Sequence, residues 1–198
     1  MLSSIYIKNW PAEYHAQSAI EAALELRDEI GGPAAVDRVL IESFKAAVEI
    51  IADAKKWHPK TRETADHSLP YCVAVALQDG RVGLDQFSEQ RMADPMLLDL
   101  LSRIEVREEA SLNERYPAST PNRITVTMRN GHSVAREIEF PRGHSGNPMT
   151  DDEVEDKFRR MASGEMSPQR QVEVLRRLWE LEAESDLRSL LALFGPNE

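Results

Sequence analysis

Two alternating apolar–polar runs, residues 124–128 and 133–140, lie on either side of Arg129-Asn130-Gly131, and no other feature restricts the fold as strongly. An Asn-Gly step readily adopts the positive φ that tight hairpin turns require, so these runs predict an antiparallel hairpin. A lone hairpin is marginal in water and needs more strands or a helical cover. Two further stretches read as strands. Residues 36–44 set Val39 and Ile41 beside polar Arg38 and Glu42, and residues 104–108 form a shorter run. The opening, residues 4–9, reads as extended and is ended by Pro11.

The rest of the chain reads as helix. Over residues 12–30, Ala19, Ile20, Ala23, Leu24 and Leu26 recur at helical spacing, and Gly31-Gly32-Pro33 stops the run. Residues 46–54 turn helical. Residues 69–77 are almost wholly apolar, with Pro70 tolerated in a first turn and small Ala74 and Ala76 suited to close packing. Residues 84–90 and 95–101 predict two short helices, the second opened by Asp94-Pro95. Thr150 and Glu153 have capping-box spacing, and Ser167-Pro168 opens a helix expected to present Val172, Leu175 and Trp179 on one face. Residues 187–194 close the chain as a last helix. The expected fold class is α+β: a small, mainly antiparallel sheet with packed helices, residues 1–198 forming a single domain.

Composition narrows the function classes. Hydrophobic residues make up 41% of the 198 and charged residues 29%, which suits a soluble folded protein. A net charge of −10 argues against nucleic acid as a partner, because phosphate contacts need a basic surface. The single cysteine, Cys72, has no internal disulfide partner and fits a reducing cytoplasm. No apolar run approaches the roughly 20 residues of a membrane span, and none near the start resembles a signal peptide. The expected location is therefore cytoplasmic, away from membranes. The histidines, His15, His58, His67, His132 and His144, show neither i, i+4 pairing nor a cysteine partner, so no metal site is expected.

Three polar clusters can carry chemistry. Lys8, Trp10, Pro11 and His15 flank a predicted junction between extended chain and helix, where a helix N-terminus and a lysine together favour an anion such as a carboxylate. A surface lysine and a capping histidine are the simpler account. The second cluster is Asp66-His67-Ser68-Leu69-Pro70-Tyr71. If one helix spans it, His67 and Tyr71 share a face, offering a proton-transfer group and a hydrogen-bond donor. The plainer account has Asp66 as a cap, His67 in solvent and Tyr71 in the core. The third is the loop Pro141-Arg142-Gly143-His144-Ser145-Gly146-Asn147-Pro148, whose backbone amides can line an anion site. It lacks the Gly-Lys-Ser/Thr of a phosphate loop, and a structured connection explains it equally well.

The clusters also resemble, in order and spacing, the signatures of a known family. Lys8 with Trp10-Pro11 and His15 ahead of a helix is similar to the opening of the C-terminal domain of MmgE/PrpD proteins, the family of 2-methylcitrate dehydratase. Asp66 to Tyr71, followed by Val73-Ala74-Val75-Ala76-Leu77 and Asp79-Gly80, resembles its second signature. Pro141-Arg142-Gly143-His144 with Asn147-Pro148-Met149-Thr150 resembles its third. Each motif alone is weak, but three at the right spacing are specific, and the likeness runs from about Ile5 to Leu193.

The resemblance implies a two-domain, usually dimeric architecture, with a helical N-terminal domain facing this α+β domain across an active-site cleft. It implies activities on small polycarboxylates (dehydration, decarboxylation, epimerisation) without metal or organic cofactor. By position, Lys8, His67 and Tyr71 are the expected catalytic residues, and His15, Arg142 and His144 the expected substrate-binding ones. The helical domain is not among these 198 residues, and the abrupt start at Ile5 reads as a compact unit or as a piece cut from something larger. The leading expectation is a lyase or isomerase half, active in a homo- or hetero-oligomer with a separate helical-domain subunit. The alternatives are a non-catalytic oligomerisation module of the same descent and a stand-alone carboxylate binder.

Overall fold

The computed structural model describes residues 5–195, so Ser4 of the extended opening lies outside the described residues. The described part of that opening, residues 5–9, forms no strand. The chain divides into two compact units, Met1–Pro148 and Met149–Glu198.

In the first unit, a short 3-10 turn at Tyr14–Ala16 leads into α1 (Gln17–Leu26), and β1 (Val36–Ser43) follows. The helix expected over residues 12–30 is shorter: it ends at Leu26, and the turn after it passes through Gly31 and Gly32, whose φ of 66° and 102° residues with a Cβ avoid. Five helices come next: α2 (Lys45–Ile51), α3 (Arg62–Asp66), α4 (Leu69–Asp79), α5 (Glu89–Met92) and α6 (Pro95–Leu101). They form the crossover to β2 (Ile104–Glu108), which pairs parallel with β1, and a parallel neighbour requires a long connection of this kind. Helix α7 (Ala110–Asn113) then leads to β3 (Asn122–Met128) and β4 (Ser133–Ile138). The strand order is β2-β1-β3-β4, with the β1–β3 and β3–β4 pairs antiparallel. The expected α+β class with a mainly antiparallel sheet is what the structure shows.

The hairpin turns at the predicted place. Val126 pairs with Val134 and Thr127 with Ser133, while Gly131 takes φ of 85°. Along β3, Asn122, Ile124, Val126 and Met128 are buried and the residues between them only partly so, giving the sheet one core face. Helix α1 meets the sheet with buried Ala19, Ile20, Ala22, Ala23 and Leu26. Helix α4 is buried on every side from Leu69 to Leu77, which explains why its sequence carries no polar stripe. Two buried polar contacts pin the start of α1 to the sheet: Asn122 Nδ2 donates to the His15 carbonyl at 2.9 Å and to Ser18 Oγ at 2.8 Å.

The second unit contains α8 (Asp151–Ala162), α9 (Pro168–Trp179) and α10 (Leu187–Ala192). Thr150 and Glu153 form the expected capping box. The expected face of α9 is corrected. Gln171, Val174 and Leu175 are its buried residues, whereas Val172 and Trp179 are 61% and 49% exposed. The i, i+3, i+4 stripe is centred on Val174, and Trp179 instead donates its indole N–H to Glu155 Oε1 at 2.7 Å. Among the described residues, no helix is long and apolar enough to cross a membrane.

Ser68 is the local device that starts α4. Its buried Oγ accepts from the Tyr71 amide at 3.2 Å and donates to the Lys56 carbonyl at 2.6 Å. Ser68→Ala removes the cap and leaves a carbonyl without its donor, so it is expected to lower stability by about 1–2 kcal/mol. A urea denaturation midpoint unchanged by the substitution would contradict this role.

Candidate functional site

Three main-chain donors draw the sequence clusters together around the start of α1. Ile7 N–H donates to the Gly143 carbonyl at 2.9 Å, and Glu13 N–H donates to the Asp66 carbonyl at 2.8 Å. Arg142 N–H donates to Glu21 Oε2 on α1 at 2.6 Å. The chain between Trp10 and Glu13 is shaped by the buried side chain of Gln17. Its Nε2 donates to the Trp10 and Ala12 carbonyls at 3.0 and 3.2 Å, and its Oε1 accepts from Trp10 N–H at 3.1 Å. Glutamine suits this position because it carries both a donor and an acceptor.

Glu13 is the centre of this junction. Its side chain is only 11% exposed, and Oε2 accepts from His15 N–H at 2.7 Å. Burial raises the Glu13 pKa, while the His15 amide, His67 and Lys8 pull it down. Lys8 and His67 therefore both lie within electrostatic reach of one carboxylate. His15 is 3% exposed, with Nδ1 3.3 Å from Glu13 Oε1. Burial lowers the pKa of its imidazole to about 4, so the ring is neutral at pH 7. The His15 ring is packed by Tyr14 at 3.8 Å, Phe44 at 5.1 Å and Tyr116 at 5.7 Å between ring centroids.

The remaining expected site residues fall into different settings. Lys8 is exposed. His67 is exposed at the end of α3, with Nδ1 2.5 Å from Asp66 Oδ1 and 3.1 Å from the Glu63 carbonyl. Tyr71 is fully buried, its hydroxyl donates to the Gln86 carbonyl at 2.7 Å, and burial pushes its pKa up. The shared helical face expected for His67 and Tyr71 is not formed. His67 closes α3, and Ser68, not Asp66, caps a new helix, so the two side chains belong to different helices.

The loop amides expected to line an anion site are used internally. Gly143 N–H donates to the Asn147 carbonyl, His144 N–H to that of Pro141, and Asn147 N–H to that of His144, at 2.8–2.9 Å. Gly146 N–H donates to His144 Nδ1 at 2.9 Å, and Arg142 Nη1 donates to Asn147 Oδ1 at 2.8 Å. The His144 ring lies edge-on to Tyr6 at 5.4 Å, and burial lowers its pKa. Cys72 is buried and its thiol pKa is raised, as expected of a core cysteine. Among the described residues, no group of three or more His, Cys, Asp and Glu side chains is placed to hold a metal ion.

Sequence reasoning missed Glu13, Tyr14 and Tyr116. Glu13 stands inside the first cluster, but no spacing or neighbour in the sequence sets it apart from a surface carboxylate. Tyr116 had no local signal, since it reaches His15 only through the fold.

Residues 10–181 match the family model described as the MmgE/PrpD C-terminal domain. The chain belongs to the MmgE/PrpD family. The match includes Glu13, His15, His67 and the Arg142 loop, while Lys8 lies just ahead of it. The chain is 32% identical over 192 residues to 2-methylcitrate dehydratase of Cupriavidus necator, covering 88% of this chain and 38% of that protein. It is 32% identical over 180 residues to mitochondrial 2-methylcitrate dehydratase of Yarrowia lipolytica, covering 83% of this chain and 33% of that protein. It is also 24% identical over 204 residues to human cis-aconitate decarboxylase, covering 98% of this chain and 41% of that protein. The MmgE/PrpD chain described here thus spans about two-fifths or less of each relative's length.

Two measurements test these placements. The folded pKa of His15 is about 4, against an ordinary 6.5, so the unfolded chain takes up the proton first as pH falls. Stability contributed by the neutral ring is full above pH 6.5 and is lost as pH approaches 4, by on the order of 3 kcal/mol. Urea unfolding at pH 7 and pH 4.5 should show a smaller acid-side loss in His15→Gln than in the wild type; equal losses would contradict the buried neutral ring. Tyr71→Phe should cost about 1–2 kcal/mol by stranding the Gln86 carbonyl. It should leave ligand affinity unchanged, and weakened carboxylate binding in that variant would return Tyr71 to the site.

Proposed function

We propose that this domain forms one wall of a site for a small polycarboxylate and takes part in a lyase or isomerase reaction of the 2-methylcitrate dehydratase type. The observation that carries the reading is the half-buried Glu13 carboxylate with Lys8 and His67 both within electrostatic reach, at the point where the family's segments meet. Such a reaction requires removing a proton beside a carboxylate and stabilising the charge that develops. Lys8 is the group for holding a substrate carboxylate, and exposed His67 is the proton-transfer group of this reading. Glu13, whose proton affinity is raised by burial, is the group suited to accept the proton. No step in this scheme calls for a metal or an organic cofactor. The names of the relatives, a dehydratase and a decarboxylase, support a substrate with several carboxylates.

The other wall of the site is supplied by a helical domain outside these residues, in an oligomeric assembly placed in the cytoplasm. The relatives' additional length supports this reading, since the chain covers only 38% of the Cupriavidus necator protein.

The test uses the 198-residue chain and the same chain supplied with a helical domain of the family. Calorimetric titration with citrate-like acids should show weak, millimolar binding by the chain alone, reduced about tenfold or more in Lys8→Ala. No dehydration of 2-methylcitrate is expected until the helical domain is added. Turnover by the chain alone would overturn the shared-site reading. Absence of binding at millimolar acid, with or without the helical domain, would overturn the polycarboxylate reading.

A further inference from the structure

Glu13, His15, Tyr116 and Tyr14 form a row of polar side chains, and the scheme above uses only the first of them. His15 Nδ1 lies 3.3 Å from Glu13 Oε1. On the other side of the ring, His15 Nε2 lies 3.5 Å from Tyr116 Oη, which is 3.2 Å from Tyr14 Oη. The row runs from the junction near Lys8 and His67, through a nearly fully buried imidazole, to Tyr14, which is 39% exposed. Phe44 braces it by stacking on Tyr116 at 4.5 Å, with 13° between the ring planes, and by meeting His15 edge-on at 76°.

Hydrogen-bond chemistry gives the row a direction. A neutral imidazole has one donor nitrogen and one acceptor nitrogen, and a carboxylate only accepts. Nδ1, the ring nitrogen 3.3 Å from the Glu13 carboxylate, is therefore the one assigned the hydrogen. Nε2 is then an acceptor, which obliges Tyr116 to donate to it. The Tyr116 oxygen is left to accept from Tyr14. The opposite tautomer would set a nitrogen lone pair against a carboxylate. Nδ1 has no well-aligned partner in the free chain, and the contacts on both sides of the ring are long. Hydrogen bonds of this type often tighten only when a site is filled.

We propose that Tyr14 and Tyr116, acting through the Nδ1–H tautomer of His15, are positioning residues that hold the Glu13 carboxylate aimed at the junction it shares with Lys8 and His67. The catalytic consequence rests on the function proposed above; the tautomer and the direction of the row do not. The charged and titratable groups facing Glu13 are Lys8, His67 and His15, and Tyr6, Tyr14 and buried Cys72 lie close enough to be influenced by Glu13. Those facing His15 are Glu13, Tyr14 and Tyr116. Because the buried ring is neutral, it acts through its oriented N–H and not through a charge. A structural histidine would need only its shape, whereas a positioning histidine needs one tautomer, and the two roles can be told apart.

The experiment is two-bond proton–nitrogen correlation spectroscopy on the full chain with labelled histidine, at neutral pH. The His15 signal is assigned by its loss in His15→Gln. The wild type should show His15 as a single Nδ1–H tautomer. Tyr116→Phe keeps the ring that stacks on Phe44 but removes the hydroxyl. It should give a mixture of tautomers and move the Glu13 carboxyl titration upward by about half to one pH unit, as the carboxylate loses its donor. Tyr14→Phe should produce a smaller shift in the same direction. An Nε2–H tautomer in the wild type would overturn the proposal. So would an unchanged His15 signal and Glu13 titration in Tyr116→Phe. If Tyr116→Phe does not fold, Tyr14→Phe decides, because its hydroxyl is exposed, and no change there overturns the proposal. Failure of the polycarboxylate reading looks different: ligand heat is absent while the tautomer is intact.

Discussion

A single hydrogen bond, from Glu13 N–H to the Asp66 carbonyl at 2.8 Å, joins two parts of the chain on which the candidate site depends. It ties the loop before α1 to the end of α3, and so sets Glu13 beside His67. The bond is possible because Gln17 folds the preceding loop from inside, and because Asn122 and Ser18 anchor the first turn of α1 to the sheet. These contacts are made by buried polar groups, and buried polar groups without partners are costly. The junction is held by the requirement that each of these groups find a partner, and its geometry is correspondingly specific.

Charge follows the same local logic. The chain carries a net charge of −10, yet its positive groups sit where single carboxylates need them. On the sheet, Glu42 is 5% exposed and lies between Arg107 at 2.6 Å and Arg123 at 3.4 Å. Arg123 also reaches Glu137 at 2.7 Å, so the row links all four strands through their side chains. Glu13 differs because it lacks a close arginine: burial raises its proton affinity, and Lys8 and His67 oppose the rise without closing an ion pair on it. That contrast separates a structural carboxylate from one open to chemistry.

Much of the fold was legible because its signals are local. The hairpin and the Thr150–Glu153 capping box formed where the sequence placed them. The site was legible only as a set of segments. His67 and Tyr71 looked like one helical face, but Ser68 captures the Tyr71 amide and begins a second helix between them. The glycine-rich loop around His144 looked like an anion cradle, but its amides are used by Asn147, Pro141 and Glu21. Residue types alone do not reveal whether a donor is already spent.

By itself the sequence determined the periodicities, the hairpin turn, the Thr150 cap and the family signatures, because each of these is written within a few neighbouring residues. It also determined that Lys8, His15 and His67 stand in the segments that carry those signatures. Tertiary structure alone decided that Glu13 stands at their centre, that Tyr71 belongs to the core, and that Tyr116 reaches back to His15. These outcomes depend on which distant segments touch and on how deeply each group is removed from water. Proton affinity and hydrogen-bond availability follow from those two things, and neither is a property of any short stretch of chain.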